Sequence, residues 1–200
     1  VEEVALVNAL PLLKKHFGEE VEESEFNTAA ILDTVRHEFG HMIVPKRDKL
    51  VKGRIGESKD NFITEELKAD TLGIKLLNER IKDGDTTGVD IRMEFLAKLG
   101  DAVDYLAHKS SEKGTSGERY YFAGVAMVSR LFDAGVLAEK GEEFMINDYE
   151  KGVGALAAIG DEVSGLYLRG TPEAVTNYVN SLRQKAEEPE FKKVLKKFKS

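Results

Sequence analysis

The sequence contains no cysteine, which excludes disulfide bonds, thiolate metal sites and cysteine nucleophiles. Any metal ion must therefore be bound by histidine and carboxylate side chains. No stretch approaches the roughly 18 uncharged apolar residues that a membrane-spanning helix needs, so no membrane partner is expected. The first residues, VEEVALVNAL, also lack the basic start, apolar stretch and cleavage site of an export signal. We therefore expect a cytoplasmic protein.

The chain also has no excess of basic residues. Its net charge of -7 argues against nucleic acid as a partner, because phosphate binding needs a basic face. One basic run lies near the end, where lysines between positions 192 and 199 alternate with Phe191, Val194, Leu195 and Phe198. This spacing predicts an amphipathic terminal helix whose lysines face solvent.

Length and composition predict one domain. A chain of 200 residues with 42% hydrophobic residues is ordinary for a single unit that buries a core. Helical periodicity dominates, so we expect a mainly α, bundle-like fold over residues 1–200. At most a small β-hairpin is expected, from Val136–Lys140 and Glu143–Ile146 on either side of Gly141. Because the first residues already have the pattern of a helix interior, we expect a fragment of a longer protein.

A first strong helix is predicted after an acidic loop at Glu19–Glu25. Asn27 is a suitable N-cap, the helix runs through Ile43, and Pro45 ends it. Its apolar stripe consists of Ile31, Leu32, Val35, Phe39 and Met42.

A second strong helix is predicted from about Ile63 to Ile81. The polar segment 46–60 before it is typical of a loop, with a short strand at Lys49–Ile55 as an alternative. Further helices are predicted at 2–17, 89–110, 117–135, 148–168, 172–187 and 189–199. In the first of these, Pro11 either kinks the segment or starts a second short helix. Thr171 and Pro172 favour the start of the helix at 172.

The segment His37-Glu38-Phe39-Gly40-His41 is an HExxH sequence within the first strong helix. At 3.6 residues per turn, His37 and His41 lie on one face, and both imidazoles can reach an ion at about 2.0 to 2.1 Å. Glu38 points about 100° away around the helix. It is close enough to contact a water on the metal without binding the ion itself.

A third ligand is expected on the second helix, in the segment EELKAD that begins at Glu65. We predict Glu66 as this ligand. Asp70 lies one turn later, where it can accept a hydrogen bond from the outer nitrogen of a ligating histidine and so fix the ring. Glu65 has either that same role or a surface position. Gly73, on nearly the same stripe as Glu66, allows two helices to approach closely.

A His, His, Glu ligand set favours a catalytic over a structural metal, because three protein ligands leave one position for water. Zinc lowers the pKa of such a water to about 7, and Glu38 can take its proton. The predicted reaction is hydrolysis of a peptide or similar amide bond. Cobalt, manganese and nickel also suit these ligands.

The negative charge that develops on the carbonyl oxygen needs a hydrogen-bond donor. The candidates near GERYY are Tyr120, Tyr121, His108 and Arg119, of which we favour Tyr120. An aromatic residue beside an apolar helix is more often part of the core, so this role stays open. For His108 and His16 a surface position is the more ordinary interpretation.

HEFGH followed by EELKAD resembles the zinc site of the dipeptidyl peptidase III family, including relatives in which this domain is joined to a Nudix domain. The stretch GERYYFAGVAMVSRLFDAG resembles the family's helix after the metal site, so the similarity covers about residues 28–140. The resemblance implies zinc on His37, His41 and Glu66, with Glu38 as the base. It also implies a mostly helical catalytic lobe and removal of dipeptides from the amino end of short peptides.

The sequence departs from the family pattern in three respects. Animal and fungal members have one more residue between the glutamate and the second histidine, and a longer gap to the glutamate motif. A family histidine that assists the transition state falls on Tyr120. The family's cleft lies between two lobes, and the resemblance implies that this chain contains only the helical one.

Two other functions remain open from the sequence. The chain could be a zinc-containing binding or scaffold module without peptidase activity of its own. Zinc and a carboxylate base also serve in the hydrolysis of other amides and of esters. The leading hypothesis is a zinc metallopeptidase that acts on a short peptide.

Overall fold

A computed structural model describes residues 2–42 and 49–199 of the chain. Within these ranges the chain forms nine helices and one two-stranded antiparallel sheet. The helices are α1 (Glu2–Phe17), α2 (Glu23–Met42), α3 (Lys49–Ile55), α4 (Asp60–Lys82), α5 (Ile91–His108), α6 (Ser116–Asp133), α7 (Tyr149–Arg169), α8 (Pro172–Glu187) and α9 (Pro189–Phe198). The strands are β1 (Leu137–Lys140) and β2 (Glu143–Ile146). The predicted mainly α fold with one small hairpin is confirmed.

The hairpin forms where the sequence predicts it. Leu137 lies opposite Ile146 in the antiparallel register, and Gly141 adopts a φ of 65° in the turn, a conformation that glycine reaches without strain. Phe144 on β2 is buried, with its ring centroid 5.7 Å from that of Phe17 and 5.0 Å from that of Phe198. These aromatic contacts attach the hairpin to α1 and α9.

Helix α4 lies at the centre of the fold, packed against α2 on one side and α7 on another. Its apolar residues Ile63, Leu67, Ile74 and Leu77 are buried in the common core, as the sequence predicts. Ile81 is only partly buried at the end of the helix. Because α4 packs against several other helices, the polar groups on its buried faces, among them Glu66 and Asp70, are enclosed within the fold.

Local capping explains why several helix starts agree with the prediction. The Thr171 hydroxyl accepts a hydrogen bond from the backbone N–H of Ala174 at 3.2 Å, and Pro172 occupies the first turn of α8. Asp90 caps α5 in the same way through Met93 N–H at 3.0 Å. Such contacts satisfy N–H groups that have no partner within the helix.

Helix α2 begins earlier than predicted. It starts at Glu23 and not after Asn27, so the acidic stretch Glu19–Glu25 is only partly a loop. The acidic residues Glu23 and Glu25 lie in its first turn, where they interact favourably with the helix dipole. The predicted end at Ile43 and the stop at Pro45 lie outside the described residues.

Residues 49–55 form helix α3, so both the loop and the strand predicted there are wrong. Val51 and Ile55 are spaced by one helical turn and are both buried. Helix α3 contacts α7 and α8. The segment is mostly polar, so the helical spacing of its two buried apolar residues, Val51 and Ile55, was overlooked in the sequence.

His16 is buried, so its predicted surface position is wrong. Its ring packs edge-to-face on Phe198 of α9, with centroids 5.3 Å apart. Burial, together with repulsion from Lys15, lowers the pKa of His16. The predicted amphipathic character of α9 is confirmed, because Phe191, Val194, Leu195 and Phe198 are buried.

The apolar stripe of α2 lies on the exposed side of the helix. Ile31, Leu32, Val35, Phe39 and Met42 are each between 44% and 59% exposed. The buried residues of α2 are Phe26, Ala29, Ala30, Asp33 and Gly40. Apart from Phe26, the residues of α2 that face the core are therefore small or ionisable, whereas the apolar stripe faces solvent.

None of the described helices combines the length and the apolar character that crossing a membrane would require.

Candidate metal centre

Two glycines allow α2 and α4 to approach closely. A Cβ atom on Gly40 would lie 2.6 Å from the Cα of Ala69, and one on Gly73 would lie 2.8 Å from the Cδ of Arg36. Real Cβ atoms essentially never make such close contacts. Gly73 has the packing position that the sequence predicts, whereas the equivalent role of Gly40 inside the HExxH segment was not predicted.

Three potential ligands converge between these helices. The Nε2 atoms of His37 and His41 are 3.1 Å apart. The Oε2 atom of Glu66 lies 3.5 Å from the first and 3.7 Å from the second. Glu66 is buried, whereas both histidines are partly exposed. The group is thus anchored in the core on α4 and open towards solvent on the α2 side.

Carboxylates hold the outer nitrogens of both histidines. His37 Nδ1 lies 2.9 Å from Asp70 Oδ1, and His41 Nδ1 lies 3.3 Å from Glu65 Oε1. Because an ionised carboxylate only accepts, each Nδ1–H donates, and in a neutral ring the lone pair is then on Nε2. Lys68 Nζ, 2.9 Å from the same Glu65 oxygen, fixes that carboxylate in turn. The Nε2 atoms of His37 and His41 therefore each offer a lone pair that can bind a cation.

The donor set fits a divalent cation. Glu66 Oε2 is buried and has no hydrogen-bond partner among the described residues, and it faces the lone pairs of His37 and His41. Three acceptors that face one another without a donor repel, and a cation between them removes that repulsion. Ligand atoms 2.0 to 2.1 Å from a tetrahedral ion lie about 3.3 Å apart. The three observed distances bracket this value closely.

A buried charge network surrounds Asp70. Burial opposes its ionisation, but Lys98 and His37 outweigh burial and lower the pKa of Asp70 to about 2. Burial alone would lower the pKa of Lys98, yet Asp33, Asp70 and Asp101 raise it overall. Lys98 is therefore an ammonium at neutral pH and Asp70 a carboxylate.

Opposing effects act on the pKa values of the candidate ligands. Burial lowers the pKa of His37, but attraction to Asp70 and the hydrogen bond with it outweigh burial and raise that pKa overall. Burial and the charge of Asp70 raise the pKa of Glu66, while Arg119 and the two histidines oppose this rise. Without an ion, protons therefore remain on this cluster to higher pH than on free side chains.

Of the four predicted hydrogen-bond donors, Arg119 and Tyr120 lie at the site. Arg119 Nη1 is 3.0 Å from Glu66 Oε1. The guanidinium of Arg119 lies 4.8 Å from the centroid of the Tyr120 ring. Burial and the charge of Glu66 raise the pKa of Tyr120, whereas the charge of Arg119 opposes this rise. Glu38 is exposed on α2 next to His37.

Tyr121 and His108 have other partners. Tyr121 is buried, with its ring edge-on to that of Phe122 at 5.3 Å between centroids. His108 is exposed and lies 2.7 Å from Asp104. The surface position expected for His108 agrees with this arrangement.

Sequence reasoning missed the contributions of helix α5. Lys98 Nζ and the Tyr105 hydroxyl lie 3.3 Å and 3.4 Å from Asp70 Oδ1. Lys98 lies three residues after the buried Phe95 and four before the buried Ala102, which places it on the apolar face of the helix. A lysine at such a position was the available signal, since lysine is almost never fully buried unless paired.

No protein-family model matches the sequence, and no curated protein matches it either. Two solved structures are similar in fold. Dipeptidyl-peptidase III from Corallococcus sp. strain EGB gives a TM-score of 0.70 at 18% identity, and DPP III from Caldithrix abyssi gives 0.71 at 16%. The matches cover 100% of this chain but 36% and 37% of those chains. The chain thus has the fold of part of the dipeptidyl peptidase III structure and spans little more than a third of its length.

Proposed function

We propose that this chain is the metal-binding helical lobe of a zinc-dependent peptidase. The observation that supports this most strongly is the convergence of His37 Nε2, His41 Nε2 and Glu66 Oε2 with no donor among them. The fold similarity to dipeptidyl peptidase III structures gives independent support. By the family resemblance, the substrate is a short peptide that loses dipeptides from its amino end.

His37, His41 and Glu66 would hold the ion, with Asp70 and Glu65 orienting the histidines through their Nδ1 atoms. When bound, zinc supplies Lewis acidity, which polarises a carbonyl group and makes water more acidic. The remaining steps depend on side chains of this chain.

Glu38 is proposed as the general base. It follows His37 directly on α2 and is exposed, so its carboxylate can reach water and substrate at the open side of the site. It would take the proton from the attacking water and pass it to the leaving amine. General acid–base catalysis of this kind typically contributes about 10²- to 10⁴-fold to the rate.

Tyr120 is proposed as the donor to the carbonyl oxygen. Its pKa is raised by burial and by the nearby carboxylates Glu66 and Glu38, so the phenol keeps its proton at neutral pH. The ring is held by Tyr105, at 5.2 Å between centroids, and by the guanidinium of Arg119 at 4.8 Å. Tyr120→Phe is expected to lower turnover and leave metal content unchanged.

A second lobe is proposed as the partner that completes the substrate cleft. This chain spans 36% to 37% of the two similar structures. The same observation favours the alternative function, a metal-containing binding or scaffold module that does not cleave peptides alone. The two functions share the metal site and differ in whether Glu38 performs chemistry.

The first test is elemental analysis of the purified chain beside Glu66→Ala at neutral pH. The proposal expects one zinc per chain in the wild type and a strong reduction in the variant. Wild-type protein that takes up no zinc, even when zinc is added, contradicts the metal site.

The second test separates the two functions. Zinc-loaded wild type and Glu38→Gln are compared in the release of an arylamine from dipeptidyl arylamides. The proposed base predicts that Glu38→Gln loses at least about a hundredfold in rate with its zinc content unchanged. Zinc-loaded wild type that cleaves neither these substrates nor short peptides supports the binding module.

A further inference from the structure

Lys98 is a fully buried cation in the middle of α5. Its Nζ atom lies 2.6 Å from Asp33 Oδ2, 3.3 Å from Asp70 Oδ1 and 3.6 Å from Asp101 Oδ2. Burying an ammonium is costly, and a well-packed apolar residue is often no less stabilising than a buried ion pair. Stability alone therefore does not account for a lysine at this point of the core.

The partners of Lys98 connect the two helices that carry the metal ligands. Asp33 lies on α2, one helical turn before His37. Asp70 lies on α4, one turn after Glu66. Residues four apart on a helix lie on the same face, so Lys98 joins α2 to α4 one turn away from the proposed ligands on each helix.

Lys98 also shares an oxygen atom with a ligand. Asp70 Oδ1 lies 2.9 Å from His37 Nδ1, 3.3 Å from Lys98 Nζ and 3.4 Å from the Tyr105 hydroxyl. Three donors from α2 and α5 thus fix the position of one oxygen on α4. The direction in which His37 Nε2 points depends on that oxygen, because Nδ1 and Nε2 belong to the same rigid ring.

We propose that Lys98 is a positioning residue for the metal centre, which holds Asp70, and through it the His37 ring, in the orientation that binds the ion. This inference rests on the proposed metal site. Lys98 contacts neither the ion nor the substrate, and its effect is exerted through Asp70. Interactions of this kind commonly change metal affinity by about 10- to 100-fold.

The test measures metal affinity in the folded chain. Zn²⁺ and Co²⁺ are titrated against a chromogenic chelator, and the visible absorption of the Co²⁺ form reports the coordination geometry. Lys98→Met removes the ammonium group and keeps an unbranched side chain of similar length. This variant is expected to bind both ions at least tenfold more weakly and to have an altered Co²⁺ spectrum. Lys98→Arg, which keeps a cation, is expected to recover part of both.

Glu94→Gln is the matched control. Glu94 is also buried on α5 and also pairs with α2, through Arg36, where Nη2 and Oε1 are 3.1 Å apart. This pair has no contact with Asp70 among the described hydrogen bonds and ion pairs. Loss of the Arg36–Glu94 pair is expected to lower the melting temperature and to leave metal affinity within about twofold of the wild type. This is the result expected when an ion pair contributes to stability alone.

Each outcome is decisive. If Lys98→Met fails to fold, the double variant Asp33→Asn with Lys98→Met removes both members of the closest ion pair, and the same tenfold loss is expected. Folded Lys98 variants that bind both ions within twofold of the wild type, with an unchanged Co²⁺ spectrum, overturn the positioning role. Wild-type chain without affinity for either ion overturns the proposed metal site itself, so the two failures are distinguishable.

Discussion

Arg119 Nη1 forms an ion pair with Glu66 Oε1, at 3.0 Å, and Oε2 is the carboxylate oxygen that lies towards the histidines. The two oxygens of Glu66 thus have separate partners. A carboxylate held in this way favours binding an ion through one oxygen, which keeps a coordination position free for water. The guanidinium also opposes the rise in the Glu66 pKa that burial causes.

Removal of Arg119 should therefore weaken the site. Arg119→Met leaves Glu66 Oε1 without its cation, which raises the pKa of Glu66 further and frees the carboxylate to rotate. We expect roughly a tenfold loss of zinc affinity near neutral pH, measured by chelator competition. Arg92→Met is the control, because Arg92 is similarly exposed, 36% against 35% for Arg119, and pairs with Glu19 instead. Equal or tighter binding by Arg119→Met would contradict this role.

Zinc affinity should fall as the pH is lowered, and the fall should begin at a pH above the ordinary pKa of a histidine side chain. The protonated form of His37 cannot bind an ion, and Asp70 raises the pKa of His37 above 6.5 in spite of burial. Metal binding must then release protons, which calorimetry in two buffers of different ionisation enthalpy can count. Asp70→Asn removes the attraction that raises this pKa, so the midpoint of the pH dependence should move to lower pH. A midpoint that stays in place shows that Asp70 does not control His37.

Gly40→Ala should force α2 and α4 apart. The added methyl group would lie 2.6 Å from the backbone Cα of Ala69, which cannot move aside as a flexible side chain would. Overpacking of this kind typically costs about 1 to 3 kcal/mol in the free energy of unfolding, and we expect zinc affinity to fall with it. Gly53→Ala on α3 is the control, because nothing lies within 4 Å of its added carbon. Chemical denaturation of the two variants provides the comparison.

The exposed stripe of α2 should tolerate polar residues. Ile31→Gln and Val35→Gln are each expected to change the free energy of unfolding by less than about 0.5 kcal/mol, as surface substitutions do. Leu67→Ala, on the buried face of α4, should cost about 2 to 5 kcal/mol. Losses of similar size in all three variants would place the stripe in the core after all.

The sequence predicted the group of candidate ligands and most helices because those signals are local. The histidine spacing in HExxH, the turn between Glu66 and Asp70, and the cap at Thr171 each depend on residues a few positions apart. The hairpin around Gly141 is of the same kind. Such patterns can be recognised in a sequence without knowledge of which helices and strands contact one another.

What the sequence did not reveal depends on packing between distant segments. An apolar stripe such as the one that includes Val35 and Phe39 ordinarily faces the core, but in α2 it is exposed. In the structure, Asp33 turns inward because Lys98 of α5 offers it a cation, and Gly40 packs on α4. His16 is buried because α9, far away in sequence, covers it. The spacing of apolar residues shows that a helix has an apolar and a polar face. It does not show which of the two faces another helix or strand will cover.

The proposed ligands are divided between two helices, with His41 on α2 and Glu66 on α4. An ion held by both would act as a cross-link that closes the intervening segment, including α3, into a loop. Because such a link exists only in the folded chain, its binding energy would become folding energy. Free zinc at a thousandfold excess over its dissociation constant would add about 4 kcal/mol to the free energy of unfolding. Thermal stability would then report the concentration of zinc around the protein.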